Sequence, residues 1–260
     1  MRALLASPLG FLIGLSLGAL GGGGSILAVP ALVYVAGQTP KEAVATSLVI
    51  VAAVSVFGLV PHWRAGRVRV RAGLTFSAAG VAGSLLGSAA NGAVDPDVLL
   101  LAFAVVMVVA AVAMLRRGAV PAPAGAQGST RVETRVDVGT VVKVLVAGSA
   151  VGLMTGFFGV GGGFVIVPAL VLALRFPMPE AVGTSLVVIA INSLVALAAR
   201  LGSGHLDWTV AVPFVVSGAV GVLVGSRLAD RVDPSRLVGW FAALLVAVAV
   251  YTAIDAALAL

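Results

Sequence analysis

The chain has 260 residues, of which 60% are hydrophobic and only 10% charged, with a mean hydropathy of +1.17. That composition excludes a soluble enzyme or soluble binding module. The net charge of +6 would suit nucleic acid, but the arginines sit in short loops beside apolar stretches, where membrane orientation and anionic headgroups account for them. Cysteine is absent, which removes disulfides, thiolate metal sites and thiol catalysis.

The first element, Ser7–Gly37, is long and apolar but carries Gly21-Gly22-Gly23-Gly24 at its middle. Glycine is about 0.8–1 kcal/mol worse than alanine inside a helix, so four in a row oppose a straight rod. The spacing predicts two half-helices, Pro8–Leu20 and Ser25–Ala36, around a bare-backbone break. Each is only roughly 20 Å long, short of the roughly 30 Å core of a bilayer. Arg2 and the apolar run after it resemble a signal peptide, but the run continues into the break, so the segment is expected to be retained.

Three uninterrupted apolar stretches follow, Ala43–Val60, Ala72–Ala90 and Val98–Leu115. Arg116 to Asp137 then shifts to Pro, Ala, Gly, Ser and mixed charge, a flexible linker predicted to be cytoplasmic. Val144–Leu174 is a second interrupted segment, around Gly159-Val160-Gly161-Gly162-Gly163. Ala181–Ala199, Trp208–Gly225 and Leu237–Ile254 complete the chain. Continuous apolar runs rather than period-two alternation choose helices over a barrel, so the fold class is an all-α polytopic membrane protein.

The series is one unit used twice. Residues Gly14 to Met114 reappear 138 positions later as Gly152 to Thr252, with Pro30 on Pro168, Glu42 on Glu180 and Thr46-Ser47 on Thr184-Ser185. Nine of the fourteen glycines in the first copy fall on glycine in the second, where composition alone predicts roughly two. The expected organisation is a first membrane repeat over 1–115, a linker over 116–139 and a second repeat over 140–260.

If each glycine segment is re-entrant, a repeat crosses three times and the second copy is inverted. Thirteen of the sixteen basic residues then lie in cytoplasmic loops, leaving Arg2, Lys41 and Arg200 outside. If each glycine segment spans, the repeats are parallel and the split is eleven to five. The positive-inside bias favours inversion.

Polar chemistry is sparse, and nothing resembles a catalytic dyad, a metal centre or a cofactor site, so the chain is not expected to be an enzyme. His62 and His205 read as solvated loop residues. Thr39-Pro40-Lys41-Glu42 has capping-box spacing, and Pro179-Glu180 repeats its proline and acid, so Glu42 and Glu180 read first as caps and second as proton-coupling groups. Thr46, Ser47, Thr184 and Ser185 lie one turn inside the helices that follow the glycine segments, with Asn192 two turns deeper. Such hydroxyls either bond back to their own helix or face a solute, and the asparagine either fastens two helices or does the same. Unwound backbone at membrane depth requires protein or water around it, and half-helix N-termini suit an anion. The expected contacts are therefore the backbones of Gly22, Gly23, Gly24, Gly161, Gly162 and Gly163, and the side chains of Ser25, Thr46, Ser47, Thr184, Ser185 and Asn192.

Gly18-Ala-Leu-Gly21-Gly-Gly-Gly24 with Val29-Pro30, then Glu42-Ala-Val-Ala-Thr46-Ser47, and in the second copy Gly156-Phe-Phe-Gly159-Val-Gly161-Gly-Gly163 with Pro168 and Gly183-Thr184-Ser185, resemble the sulfite exporter TauE/SafE family of membrane permeases. The resemblance covers nearly the whole chain. It implies movement of sulfite, sulfonates, sulfoacetate or a related small organosulfur anion across a bacterial inner membrane. The implied partners are that anion and lipid, with a homodimer left open. Ser25 stands where Gly163 predicts glycine, which makes the two breaks chemically unequal. A passive anion channel and a non-transporting scaffold or assembly subunit share the pattern and stay open on sequence grounds.

Overall fold

A computed structural model describes residues 2–91, 96–117, 138–158, 163–198 and 207–259. Among these residues all regular structure is helical: α1 (Arg2–Leu20), a 3₁₀ segment (Gly21–Leu27), α2 (Ala28–Tyr34), α3 (Pro40–Arg64), α4 (Val70–Asn91), α5 (Pro96–Arg117), α6 (Val138–Phe158), α7 (Gly163–Leu172), α8 (Met178–Ala198), α9 (Trp208–Arg231) and α10 (Pro234–Ala259). All six uninterrupted apolar stretches are helices. Starts fall at matching places, since α3, α4 and α5 begin at 40, 70 and 96 and α8, α9 and α10 at 178, 208 and 234, each 138 later.

By length and apolar content five described stretches suffice to cross a membrane: Ser7–Tyr34, Glu42–Arg64, Met178–Ala198, Trp208–Arg231 and Pro234–Ile254. Of the expected spans, Val98–Leu115 is present only as the shorter apolar helix Leu101–Arg116, and Ala72–Ala90 is not among the five. Its helix, α4, has the length, but Gly73, Ser77, Gly80, Gly83, Ser84 and Gly87 dilute its hydropathy. Those small residues are used for packing. A Cβ added at Gly83 would overlap the Ser149 carbonyl and one added at Gly87 the Leu153 carbonyl of α6. From the other side, one at Gly152 would overlap the Gly80 carbonyl and one at Gly156 the Ser84 carbonyl. The α1–α9 pair is built alike, with Gly14 on Gly218 and Gly18 on Val222. In lipid no hydrophobic force presses helices together, so small residues that let backbones touch supply the attraction.

These contacts also fix direction. Gly14 meets Gly218 and Gly18 meets Val222, while Val54 meets Gly218 and Gly58 meets Val222, so α1, α3 and α9 run the same way. Gly80 meets Gly152, Ser84 meets Gly156, Gly73 meets Thr184 and Gly80 approaches Asn192, so α4, α6 and α8 also run together. Gly58 meets Leu186 and His62 meets Gly183, which sets α3 against α8 and the two triplets in opposite directions.

Because α1 and α3 are parallel, the chain between them must come back. It turns at Gly21, whose φ of +69° is left-handed and costs glycine nothing. By Gly24 it lies beside the middle of α1, where an added Cβ would sit 2.6 Å from the Ile13 carbonyl oxygen and 2.7 Å from the Leu17 nitrogen. Ser7–Tyr34 is therefore long enough to span by count yet folds back on itself. The expected bare break is narrower than the sequence implies. Only Gly21 leaves the right-handed region, and Gly22, Gly23 and Gly24 stay in 3₁₀ geometry, whose tighter winding tolerates glycine. Gly161, Gly162, His205 and most of the linker lie outside the described residues.

Overpacking at these backbone contacts has no rotamer to relax it. Gly14→Val and Gly152→Val are each expected to destabilise the protein by about 1–3 kcal/mol. Gly239→Ala, which has nothing within 4 Å, should be neutral or slightly stabilising. Thermal unfolding in detergent followed by tryptophan fluorescence checks this, and equal melting of all three variants would refute the close approach.

Candidate functional site

The returning 3₁₀ segment ends against α7. Gly22 faces Gly163 so closely that a Cβ on Gly22 would overlap the Gly163 carbonyl, and a Cβ on Gly163 would overlap the Ser25 hydroxyl. Ser25 and Gly163 are counterparts in the duplicated sequence (163 − 25 = 138). Gly21 lies by α8, where an added Cβ would be 2.5 Å from Ser185 Oγ and 3.2 Å from Val182 Cα. Gly23 is capped by α10, through Leu244 at 2.8 Å and Phe241 at 3.3 Å from such a Cβ. The edge-to-face pair Phe103–Phe164, 5.0 Å between centroids, backs the start of α7. Gly22, Gly23, Gly24, Ser25, Gly163 and Ser185 are thus brought together, with the first glycine segment in backbone contact with Gly163 at the start of α7.

The hydroxyls are mostly committed. Ser25 Oγ donates to the Gly22 carbonyl at 2.7 Å, Ser47 Oγ to Val44 at 2.8 Å and Ser185 Oγ to Val182 at 2.8 Å. Each bond runs three residues back, the local bonding such side chains favour. Thr184 Oγ1 accepts the Arg69 N–H at 3.1 Å, which holds the start of α4 to α8. Thr46, its counterpart, is fully buried and its Oγ1 has no partner. Asn192 lies beside Gly80 on α4, with its Oδ1 buried and unpartnered.

Glu42 forms the two-way capping box with Thr39, and its carboxylate accepts the Thr39 N–H at 3.1 Å. Glu180 accepts from Arg69 Nε at 2.7 Å, and the same guanidinium lies 5.3 Å from the Phe176 ring centroid. Asp207 and Asp233 cap α9 and α10. The Thr209 and Ser235 hydroxyls hold their carboxyls below the usual carboxylate range.

His62 corrects its reading as a solvated loop residue. Helix α3 runs through Pro61 to Arg64, and the imidazole is 2% exposed with Nε2 3.2 Å from the Gly18 carbonyl oxygen. Pro61 supplies no N–H to the preceding turn, yet the helix continues through it to Arg64. No local signal marks this, since Val60 and Trp63 beside it are exposed and the ring is covered by α1 at Gly18 and α8 at Gly183.

Closely packed apolar helices, opposed in two triplets around a glycine-lined contact, define a polytopic helical membrane protein with its irregular backbone shielded inside. The family model for sulfite exporter TauE/SafE matches residues 6–252, and the chain belongs to that family of membrane transporters. It is 39% identical over 249 residues to a "Probable membrane transporter protein" of Xylella fastidiosa (strain 9a5c), covering 93% of this chain and 91% of that one. It is 26% identical over 254 residues to the "Probable membrane transporter protein YunE" of Bacillus subtilis (strain 168), covering 90% and 89%. No solved structure matches.

The two threonines separate structural from spare hydroxyls. Thr184→Val strands the Arg69 N–H and is expected to cost about 1–3 kcal/mol. Thr46→Val removes an unpartnered buried hydroxyl and should leave stability unchanged or raise it. Unfolding of both variants in mixed micelles decides, and a costly Thr46→Val would show that this hydroxyl has a structural partner.

Proposed function

We propose that the chain is a secondary transporter for a small sulfur-containing anion such as sulfite, a sulfonate or sulfoacetate, bound at the membrane midplane where the two glycine breaks meet. The proposed architecture is two inverted repeats, each with three full crossings and one re-entrant glycine segment, in a bacterial inner membrane.

The observation that carries this is the contact of Ser25 with Gly163. Residues related by a two-fold can touch only near its axis, and for repeats that run oppositely the axis lies in the membrane plane. The counterparts α1 and α6, α3 and α8, and α9 and α4 fall in the two opposed triplets, which supports inversion. It agrees with the thirteen-to-three arginine and lysine split. The family name supplies the sulfite class.

An anion fits the donors on hand. The nearby serine hydroxyls give their hydrogens to carbonyls, which leaves backbone N–H groups and the N-terminus of α7 as the means of holding negative charge. Between Ala43 and Val60, and between Ala181 and Ala198, no charged side chain competes. Gly22 and Gly163 touch in this conformation, so the solute enters by parting them. Moving one charge outward down an inside-negative potential gains about 2.3 kcal/mol per 100 mV, which makes export of an anion electrically easy.

Purified protein in proteoliposomes should carry sulfite or sulfoacetate with saturable flux and leave taurine, a zwitterion, behind. Gly22→Ala wedges a methyl group against the Gly163 carbonyl and is expected to lower flux at least about tenfold. Ser25→Ala, which removes one hydrogen bond and overlaps nothing, should fold and shift half-saturation by about threefold or more. Normal flux in both variants would overturn the site, non-saturating flux would indicate a channel, and absence of anion flux would favour the scaffold.

A further inference from the structure

His62 is a buried titratable side chain with no part in the midplane contact. Three elements enclose it. On α1 it meets the Gly18 carbonyl, 3.2 Å from Nε2. On α8 it meets Gly183, where an added Cβ would lie 3.2 Å from His62 Cβ and 2.8 Å from the Arg67 carbonyl oxygen. On α9, Asp230 is near enough to act on it electrostatically. The charged groups around it are Arg67, from the loop after α3, and Asp230, and these two are paired with each other. On α8, Glu180 lies one turn before Gly183 and is paired with Arg69. The ring's Nδ1 is buried without a partner.

This geometry sets the protonation chemistry. The Gly18 carbonyl can only accept, so Nε2 is assigned the hydrogen and Nδ1 the lone pair of a neutral ring. A lone pair without a donor is tolerable. A proton on Nδ1 would instead make a buried cationic donor with no acceptor, beside the Arg67 guanidinium. The bond to Gly18 is itself stronger for a charged ring, so release follows where burying the cation costs more than that bond returns, and the strain is then relieved when the ring leaves Gly18 and reaches water or Asp230. Gly18 lies three residues before Gly21, on the arm that carries the first break. Gly18 also packs on the α9 backbone at Val222 and Ser226, so a shift of α1 here changes that interface.

We infer that His62 is a proton-operated latch on the first glycine segment: as a neutral ring it ties α1 to α3 and keeps the breaks together, and on protonation it lets go so that they part. His62 is a positioning residue that acts through Gly18 and touches no solute. It lies at the end of α3 next to Arg64, Arg67, Arg69 and Arg71, the face proposed to be cytoplasmic, so acidification of that face promotes opening. This inference rests on the transporter reading for its consequence, because parting of the breaks matters only where a solute passes between them.

The absence of native cysteine allows a test that needs no solute. Ser226 is 2% exposed and its nitrogen would lie 2.9 Å from a Cβ on Gly18, so Ser226→Cys reports the α1–α9 contact. Maleimide labelling of this variant is measured from about pH 5.5 to 8 and divided by the rate for the unfolded chain at the same pH, which cancels thiolate formation. The normalised rate is expected to rise about fivefold or more toward the acid end of the range. In the His62→Gln background, which keeps a donor for Gly18 but cannot titrate, it should be flat and slow. In the His62→Ala background, which has no tether, it should be flat and fast. A flat rate with His62 present, or the same acid rise in His62→Gln, overturns the latch. Flux of methanesulfonate, a monoanion throughout this range, should follow the same profile. Labelling that behaves as expected without any anion flux would leave the latch standing and refute the transporter reading instead.

Discussion

The approach of bare backbones holds this structure together. Lipid tails are as apolar as leucine, so burying leucine between helices gains little, and association depends on how many atoms come into van der Waals range. Gly14 against Gly218, Gly80 against Gly152 and Gly22 against Gly163 remove the side chain at each crossing. The same contacts orient the bundle, because each glycine admits one neighbouring carbonyl and so fixes the register of a helix pair. Where the glycines are consecutive, the same economy lets a chain turn and descend beside the helix it has just left.

Polar groups follow a second constraint. A hydroxyl in the bundle bonds to its own helix, to another element or to nothing, and Ser47, Ser77, Ser185 and Thr155 all take the first course. Thr46, Ser55 and the Nδ1 of His62 do not. Thr184 and Thr46 stand at the same repeat position, yet one holds the start of α4 and the other holds nothing. Of the two threonines at this offset, one carries a structural bond and the other does not.

Much of this was legible in the chain. The 138-residue offset relates the starts of α3, α4 and α5 to those of α8, α9 and α10, because proline and capping residues are dictated locally by backbone geometry. Thr39 and Glu42 announced their capping box for the same reason. The site was harder to read. That Ser25 meets Gly163 depends on a contact across 138 residues, which no local pattern encodes. The extent of the break was overestimated, since glycine opposes a helix in isolation but tolerates a 3₁₀ turn once neighbours surround it. His62 was misjudged because a proline and a histidine after an apolar run have the composition of a loop, whereas the carbonyl that secures the ring lies 44 residues away.

Ser25 and Gly163 have one further consequence. In the proposed inverted-repeat carrier, identical halves would exchange shapes between two orientations of equal free energy, with equal occupancy open to either side. A serine on one half meeting a glycine on the other, with His62 in one half answered by Arg200 in the second, lifts that degeneracy. On that reading a preferred resting side is built into the polypeptide itself, before any gradient or voltage acts on it.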